Sequence, residues 1–188
     1  MFRLATARLG GKIRRMTRAD APILQTALTL PSPEATDSLA ARIAALLEAG
    51  DTILIDGPIG AGKSHFCRAA IRHLLDREGR QEDIPSPSFT LVQTYETGAG
   101  EVWHADLYRL TDVSQVLELG LEEAFGGAIV LVEWPDRLGP LAPQDALRIS
   151  LAPAEDAEAR RVTLLARDAR WQKLAGVLAH PATEPHLD

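Results

Sequence analysis

Apolar and polar positions in the first part of the chain follow two periods, one typical of strands and one typical of helices. Residues 23–30 alternate apolar with polar side chains, which predicts a strand. A proline break follows, and Ser32 is expected to cap a helix that ends near Gly50. The apolar run over 52–56 predicts a buried strand that enters a glycine-rich turn, and a second helix is expected over 63–77.

The rest of the chain is expected to contribute mainly strands. Gly98 and Gly100 predict a hairpin turn, and Gly120 is expected to interrupt a helical stretch over 113–125. A last short helix is expected over 170–179. The strands predicted in this part are 90–95, 101–108, 128–132, 147–151 and 161–165. This order predicts an α/β fold with a mixed parallel/antiparallel sheet flanked by helices.

Length and composition agree with a single domain of this kind. The chain has 188 residues, of which 46% are apolar and 24% charged, as in ordinary soluble domains. No apolar run approaches the roughly 20 residues that span a bilayer, so no membrane association is expected. The single cysteine, Cys67, excludes an internal disulfide, is expected to lie in the core, and fits a reducing, cytoplasmic location. The histidines show no metal-ligand spacing, so no zinc site is expected.

Charge is distributed unevenly along the chain. The net charge of −6 argues against a surface that coats nucleic acid, and DNA is not an expected partner. Residues 1–18 nevertheless carry arginines and a lysine without any acid. This segment has the composition of a transit peptide, of a nucleic-acid-binding arm or of a disordered extension. The expected organisation is a basic, disordered extension over 1–18, one α/β domain over 19–180 and a flexible tail over 181–188.

The glycine-rich turn over 57–64 matches the G-x-x-x-x-G-K-[ST] pattern at every position. Glycines let backbone N–H groups approach phosphate oxygens, and the following helix directs its positive end at the same anion. Lys63 is expected to reach the β- and γ-phosphates, and the Ser64 hydroxyl to complete a Mg²⁺ coordination shell. The turn predicts a nucleoside triphosphate site in a P-loop NTPase domain; the alternative is a glycine turn that only caps a helix. The residues expected to bind ATP are Gly57, Gly60, Ala61, Gly62, Lys63, Ser64 and His65.

Two acids are candidates for chemistry beside that turn. Glu133 follows the second fully apolar strand and is expected to act at the metal, directly or through a water. Asp106 is expected to share a strand face with His104 and Tyr108, because alternate residues of a strand point to the same side. Such a face either lines a cleft or is the wet face of an antiparallel strand, and spacing alone leaves both readings open.

A proline-stiffened loop with three hydroxyl groups follows the second predicted helix. Its hydroxyl residues are Ser86, Ser88 and Thr90. In nucleotide switches, a loop of this kind senses the γ-phosphate through a hydroxyl and a backbone amide. An ordinary connecting loop is an equally good reading of these residues.

Four stretches in this order resemble the TsaE family of bacterial P-loop ATPases, which are needed for threonylcarbamoyladenosine modification of tRNA. They are SPSFTLV at 86–92, HADLYRL at 104–110, LGLEE at 119–123 and VEWP at 132–135. The resemblance covers most of the chain, from about residue 30 to residue 162.

This resemblance implies a Mg²⁺-dependent ATPase in which Lys63, Asp106 and Glu133 are catalytic and Ser64 and Glu133 hold the metal. It also implies that residues 86–90 form a switch loop. Two partner proteins, TsaB and TsaD, are implied as well. The resemblance further implies that ATP hydrolysis drives turnover or reset of the TsaB–TsaD complex. It also implies that the protein reaches tRNA only indirectly, through that complex.

The chain departs from the family pattern inside the glycine-rich turn. Pro58 stands where an acid is usual and removes one loop N–H, and Ser64 replaces a threonine but keeps the hydroxyl. Two other functions also remain open. A small-molecule P-loop kinase needs an arginine-bearing lid, and residues 133–143 contain only Arg137. A non-hydrolysing, nucleotide-responsive binding module needs only a switch loop that ATP orders.

Overall fold

The computed structural model describes residues 21–179. The basic extension predicted over 1–18 and the tail predicted over 181–188 lie outside the described residues. Within residues 21–179, no helix combines the length and the apolar character that crossing a bilayer requires.

The described part of the chain contains seven strands and five α-helices. The strands are β1 (Leu24–Leu30), β2 (Thr52–Asp56), β3 (Val92–Thr97), β4 (Gly100–Asp106), β5 (Ile129–Glu133), β6 (Leu147–Pro153) and β7 (Arg160–Ala166). The helices are α1 (Pro33–Ala44), α2 (Lys63–Asp76), α3 (Val113–Leu117), α4 (Leu121–Gly127) and α5 (Ala175–Ala179). Two 3₁₀ segments, Pro135–Leu141 and Ala169–Leu174, follow β5 and precede α5.

All seven strands form one sheet, in the order β1-β7-β6-β2-β5-β4-β3. The four neighbouring strands β6, β2, β5 and β4 are parallel. Antiparallel pairing flanks them, through β7 and β1 on one side and β3 on the other. The predicted mixed sheet is therefore confirmed, as is the predicted hairpin β3–β4, and β6 and β7 form a second hairpin.

The apolar run in β2 reflects burial on both sides, because successive side chains of this strand pack on opposite faces of the sheet. Ile53 and Ile55 lie on the face that packs with Ile43 of α1 and Phe66 of α2. Leu54 lies in a second cluster, which includes residues of β5, α3 and α4. Helices thus cover both faces of the parallel strands, as in other parallel sheets.

Two strand ends beside the candidate acids differ from the sequence expectation. β3 begins at Val92 rather than at residue 90, because the chain first turns at Leu91, whose φ is 66° and whose N–H donates to Pro87 O (2.7 Å). β4 ends at Asp106 rather than at residue 108, because the Asp106 carboxylate accepts the N–H of Tyr108 (3.0 Å) and starts a turn. Gly120 separates α3 from α4, as predicted, with a φ of 73°.

The 3₁₀ segment Ala169–Leu174 ties the end of the described chain to the amino end of β2. Trp171 is fully buried, and its Nε1 donates to the carbonyl of Asp145 (2.7 Å). Lys173 Nζ lies 2.6 Å from Oδ2 of Asp51, the residue that precedes β2. These contacts brace β2 at the end opposite to the glycine-rich turn.

Candidate nucleotide-binding site

The carboxyl ends of three parallel strands meet at one edge of the sheet, and the candidate residues lie there. β2 ends at Asp56 and leads into the glycine loop, defined here as residues 57–62. Glu133 ends β5 and Asp106 ends β4, and the two are partners in the register between these strands. Parallel open sheets bind their ligands at this edge.

The glycine loop has a backbone that requires glycine at its first position. Gly57 has a φ of 144°, and a Cβ there would lie 2.2 Å from the carbonyl oxygen of Leu151. Gly60 and Gly62 also have positive φ, at 77° and 99°, but no atom lies within 4 Å of a Cβ built on either. The loop is therefore packed against the sheet on one side and open on the other.

Lys63 begins α2 and is held by the loop that precedes it. Its Nζ donates to the carbonyl oxygens of Gly57 (2.8 Å) and Pro58 (2.9 Å). The same Nζ lies 3.8 Å from the centre of the Trp134 ring, in a cation–π contact. Burial lowers the pKa of Lys63, and the nearby carboxylates of Glu133 and Asp106 act in the opposite direction.

Three buried or half-buried side chains form a hydrogen-bonded chain across the site. The Ser64 hydroxyl donates to Glu133 Oε2 (2.8 Å), which joins the first turn of α2 to the end of β5. Glu133 Oε1 lies 2.9 Å from Nε2 of His104 on β4. Both Glu133 and His104 are buried. Glu133 therefore has a partner on each of its two oxygens.

Asp106 lies beside this chain and contacts the loop that follows α2. Ser88 Oγ donates to Asp106 Oδ2 (3.0 Å), and the hydroxyls of Ser86 and Ser88 are 2.8 Å apart. Thr90 is exposed and lies apart from this pair, and its hydroxyl accepts a bond from Gln93 Nε2 (3.4 Å). Two of the three predicted switch-loop hydroxyls thus lead to the Asp106 carboxylate.

These groups surround a cavity of about 340 Å³. Asp106 and Tyr108 both line this cavity, so the end of β4 borders a cleft rather than a solvated sheet surface. The predicted shared strand face is wrong, because β4 ends at Asp106 before Tyr108 and His104 is buried outside the lining. Among the predicted ATP-binding residues, Gly57 and Ala61 do not line the cavity, and Ala61 is fully buried beneath the loop. The cavity is lined by Ile59, Gly60, Gly62, Lys63, Ser64, His65, Arg68, Ser88, Asp106, Tyr108, Glu133 and Trp134.

His65 lines the cavity and also ties α2 to α1. Its Nε2 lies 2.7 Å from Oδ1 of Asp37 and 3.3 Å from the carbonyl oxygen of Pro33. The segment around Pro33 is therefore adjacent to the first turn of α2. This position suits the role that the sequence assigned to His65 next to the phosphate-binding residues.

Sequence reasoning did not single out Arg68 as a cavity residue. It lies one helical turn after Ser64, and its guanidinium makes no hydrogen bond or ion pair with other residues in 21–179. The i, i+4 spacing from Ser64 is the pattern that would have placed it on the same face of α2. Arg109, the arginine of the HADLYRL stretch, lies beyond the end of β4, and its guanidinium is 4.3 Å from the ring centre of Phe89.

The donor set of the site fits Mg²⁺ and a phosphate chain. Mg²⁺ prefers oxygen ligands, and Ser64 and Glu133 place a hydroxyl and a carboxylate within one hydrogen bond of each other. The open side of the glycine loop and the ammonium of Lys63 suit an anion. Cys67 is fully buried beside these groups, and burial raises the pKa of its thiol well above the ordinary value, so it is a neutral core residue as predicted.

Comparison with known proteins gives one family, both from a family model and from curated relatives. The family model described as "Threonylcarbamoyl adenosine biosynthesis protein TsaE" matches residues 30–162. A Rickettsia felis protein named "tRNA threonylcarbamoyladenosine biosynthesis protein TsaE" is 39% identical over 124 residues, which cover 66% of this chain and 71% of the relative. A Bacillus subtilis protein of the same name is 34% identical over 149 residues, covering 79% of this chain and 90% of the relative.

The crystal structure of Bacillus subtilis YdiB has the same fold. It superposes with a TM-score of 0.68 at 29% sequence identity, and the alignment covers 83% of this chain and 95% of YdiB. The fold and the site define an α/β protein with a glycine-rich loop at the carboxyl edge of its parallel strands. Within that class, the chain belongs to the TsaE family.

Proposed function

We propose that this protein is a Mg²⁺-dependent ATPase that supports a TsaB–TsaD complex in threonylcarbamoyladenosine modification of tRNA adenosine. The names of its relatives support the tRNA modification, and the family resemblance supports the two partners and an indirect contact with tRNA. ATP, Mg²⁺ and hydrolysis are supported by the chemistry of the cavity.

One observation carries the proposal: a single cavity contains the lysine, the hydroxyl and both acids of the predicted site. The same cavity of about 340 Å³ is lined by Lys63 and Ser64 of α2, Asp106 of β4 and Glu133 of β5. An anion-binding loop with a metal-binding pair and a second carboxylate is the arrangement that phosphoryl transfer to water requires.

Each side chain has a defined role in this proposal. Lys63 binds phosphate oxygens once it leaves the carbonyls of the glycine loop. Ser64 and Glu133 hold Mg²⁺, which neutralises phosphate charge when bound. Asp106 accepts a hydrogen bond from the attacking water, and the hydroxyl of Ser88 holds its carboxylate in place.

The test compares three variants by ATP titration and by steady-state phosphate release. Asp106→Asn and Glu133→Gln are expected to bind ATP but to hydrolyse it about 100-fold more slowly, the scale of losing a positioned acid or base. Lys63→Ala is expected to lose most of its ATP affinity, because a charge-assisted contact to phosphate is removed. Asp76→Asn, at an exposed position at the end of α2, is the matched control and is expected to behave like the parent.

The outcomes separate the proposal from its two alternatives. Parent-like hydrolysis by the Asp106 or Glu133 variant contradicts the role assigned to that residue. A phosphorylated small acceptor would favour the P-loop kinase. ATP that binds but never turns over, even with TsaB and TsaD present, would favour the non-hydrolysing binding module.

A further inference from the structure

We propose that His104 is a positioning residue that fixes the carboxylate of Glu133 for its metal. The inference rests on the proposed function, since it concerns how the Mg²⁺ ligand of that site is oriented. It is carried by the contact between His104 Nε2 and Glu133 Oε1 (2.9 Å), in a part of the site where both side chains are buried.

The partners of Glu133 identify which histidine nitrogen carries the proton. Ser64 donates to Oε2, and the other oxygen faces His104 Nε2, so an ionised Glu133 needs an N–H at that nitrogen. The second ring nitrogen, Nδ1, is buried and has no hydrogen-bond partner within the described residues. The geometry therefore places an N–H of His104 at Nε2, directed at Oε1 of Glu133.

This arrangement gives the two carboxylate oxygens different tasks. His104 occupies Oε1, so Glu133 cannot rotate about its last bond without losing that hydrogen bond. Oε2 then remains on the side of Ser64, whose hydroxyl can donate to the carboxylate and still offer a lone pair to a cation. Hydrogen-bond partners behind a metal ligand commonly set the affinity of the site in this way.

A soft-metal site at the same place is the competing reading. A sulfur of Cys67, a nitrogen of His104 and an oxygen of Glu133 lie within 4.8 Å of one another. Such a site would need the thiolate, but burial and the neighbouring carboxylates raise the pKa of Cys67 well above its ordinary value. The hydrogen bond between His104 and Glu133 already accounts for the contact of these two residues.

The experiment measures how ATP binding depends on Mg²⁺ in two His104 variants. His104→Leu removes the N–H and fills the buried position with an apolar side chain of moderate size. His104→Gln can instead place an amide N–H near the position of Nε2. ATP affinity is measured by calorimetry without metal and across a Mg²⁺ titration. His73→Leu is the matched control, since His73 lies on α2 outside the cavity. Thermal unfolding of each variant shows whether it is folded.

We expect His104→Leu to need about tenfold more Mg²⁺ for the same ATP affinity, at the lower end of the effect known for such partners. Its affinity for metal-free ATP should stay at the parental value, because the glycine loop and Lys63 are unchanged. His104→Gln should recover most of the lost Mg²⁺ affinity, and His73→Leu should match the parent. A His104→Leu variant with parental Mg²⁺ dependence, or a His104→Gln variant as impaired as His104→Leu, would overturn the proposal.

A second measurement needs no variant of His104. The ¹⁵N chemical shifts of the His104 ring in the nucleotide-free protein should report a proton on Nε2, and an unprotonated Nε2 would overturn the proposal even if His104→Leu failed to fold. A parent protein without any Mg²⁺-dependent ATP binding would instead overturn the proposed function and, with it, the metal role of Glu133. If the parent shows Mg²⁺-dependent ATP binding and His104→Leu shows the same dependence, only the role of His104 is overturned.

Discussion

Lys63 must change partners before it can bind a phosphate. In the structure its ammonium is satisfied by two carbonyls of its own loop and by the face of Trp134. An anion in the cavity would compete with these contacts, because a full negative charge attracts the ammonium more strongly than a carbonyl dipole does. The glycine loop thus keeps a buried cation paired until the ligand replaces its carbonyls.

The charges that line the cavity make Arg68 a second candidate for phosphate binding. Asp106 and Glu133 together balance Lys63 and Arg68, whereas Lys63 alone would leave the cavity acidic and unfavourable for ATP. Arg68→Ala is therefore expected to weaken ATP binding by about tenfold, at the lower end of a hydrogen bond to a charged group. Equilibrium titration with ATP measures the effect.

Arg72→Ala is the control for this prediction, because Arg72 lies one turn further along α2 and is exposed outside the cavity. Both substitutions remove one positive charge from the same helix. An equal loss of affinity in the two variants would show that only net charge matters. An unchanged affinity in Arg68→Ala would contradict a contact with phosphate.

At the scale of elements, residues 21–179 contain two non-glycine residues with positive φ, of which one lines the cavity and the other bonds to a residue that does. Leu91 (φ 66°) closes the switch-loop turn before β3, and Trp134 (φ 60°) follows Glu133 at the end of β5. Each such residue costs of order 1–3 kcal/mol, so neighbouring structure must hold it in place. For Trp134 these neighbours are Lys63 and the ring of Tyr108, 4.9 Å away between centres.

In the proposed function, Lys63 leaves the Trp134 ring to contact phosphate, so ATP binding should change the surroundings of this tryptophan. We expect the fluorescence emission of the protein to change on addition of ATP and the change to disappear in Trp134→Phe. Trp103→Phe is the control, since Trp103 does not line the cavity. A change that persists in Trp134→Phe and is lost in Trp103→Phe would contradict the prediction.

The sequence predicted the glycine loop together with the strand before it and the helix after it, because these three parts are contiguous in the chain. The glycine loop, the helix after it and the apolar strands before it are contiguous, and each carries its own pattern of residues. The hydrogen bond between His104 and Glu133 was not predicted, because it joins residues that only the neighbouring positions of β4 and β5 bring together. Arg68 was missed for a different reason: an arginine on an amphipathic helix reads as a solvated position until the cavity beside it is seen.

At the scale of the whole molecule, the cavity opens at a rim that carries large exposed apolar side chains. Phe89 is 81% exposed, Ile59 is 74% exposed and Tyr108 is 47% exposed. The Arg109 guanidinium lies over the Phe89 ring in a cation–π contact, and it therefore lies beside the loop over residues 86–90. Isolated apolar residues on a surface are ordinary, but these three lie on or beside the loops that bound one cavity.

An open cavity with this rim predicts that turnover depends on the TsaB–TsaD partners. Hydrolysis requires a positioned water and stabilisation of the transition-state charge, which phosphate-binding-loop enzymes often obtain from a partner. The protein alone should therefore release phosphate slowly, and TsaB–TsaD should stimulate it. Phe89→Ala is expected to weaken this stimulation about tenfold at a given partner concentration, the effect of removing a central aromatic contact.

Steady-state phosphate release, with and without TsaB–TsaD, measures the stimulation in Phe89→Ala and in Ile23→Ala. Ile23 is also exposed and apolar, but it precedes β1 at the other edge of the sheet, so its variant should respond to the partners like the parent. Both variants should keep the parental rate when alone, because neither side chain belongs to the catalytic or metal-binding groups. Fast hydrolysis by the protein alone, indifferent to the partners, would contradict the prediction. An equal loss of stimulation in both variants would show that the rim of the cavity is not the contact surface.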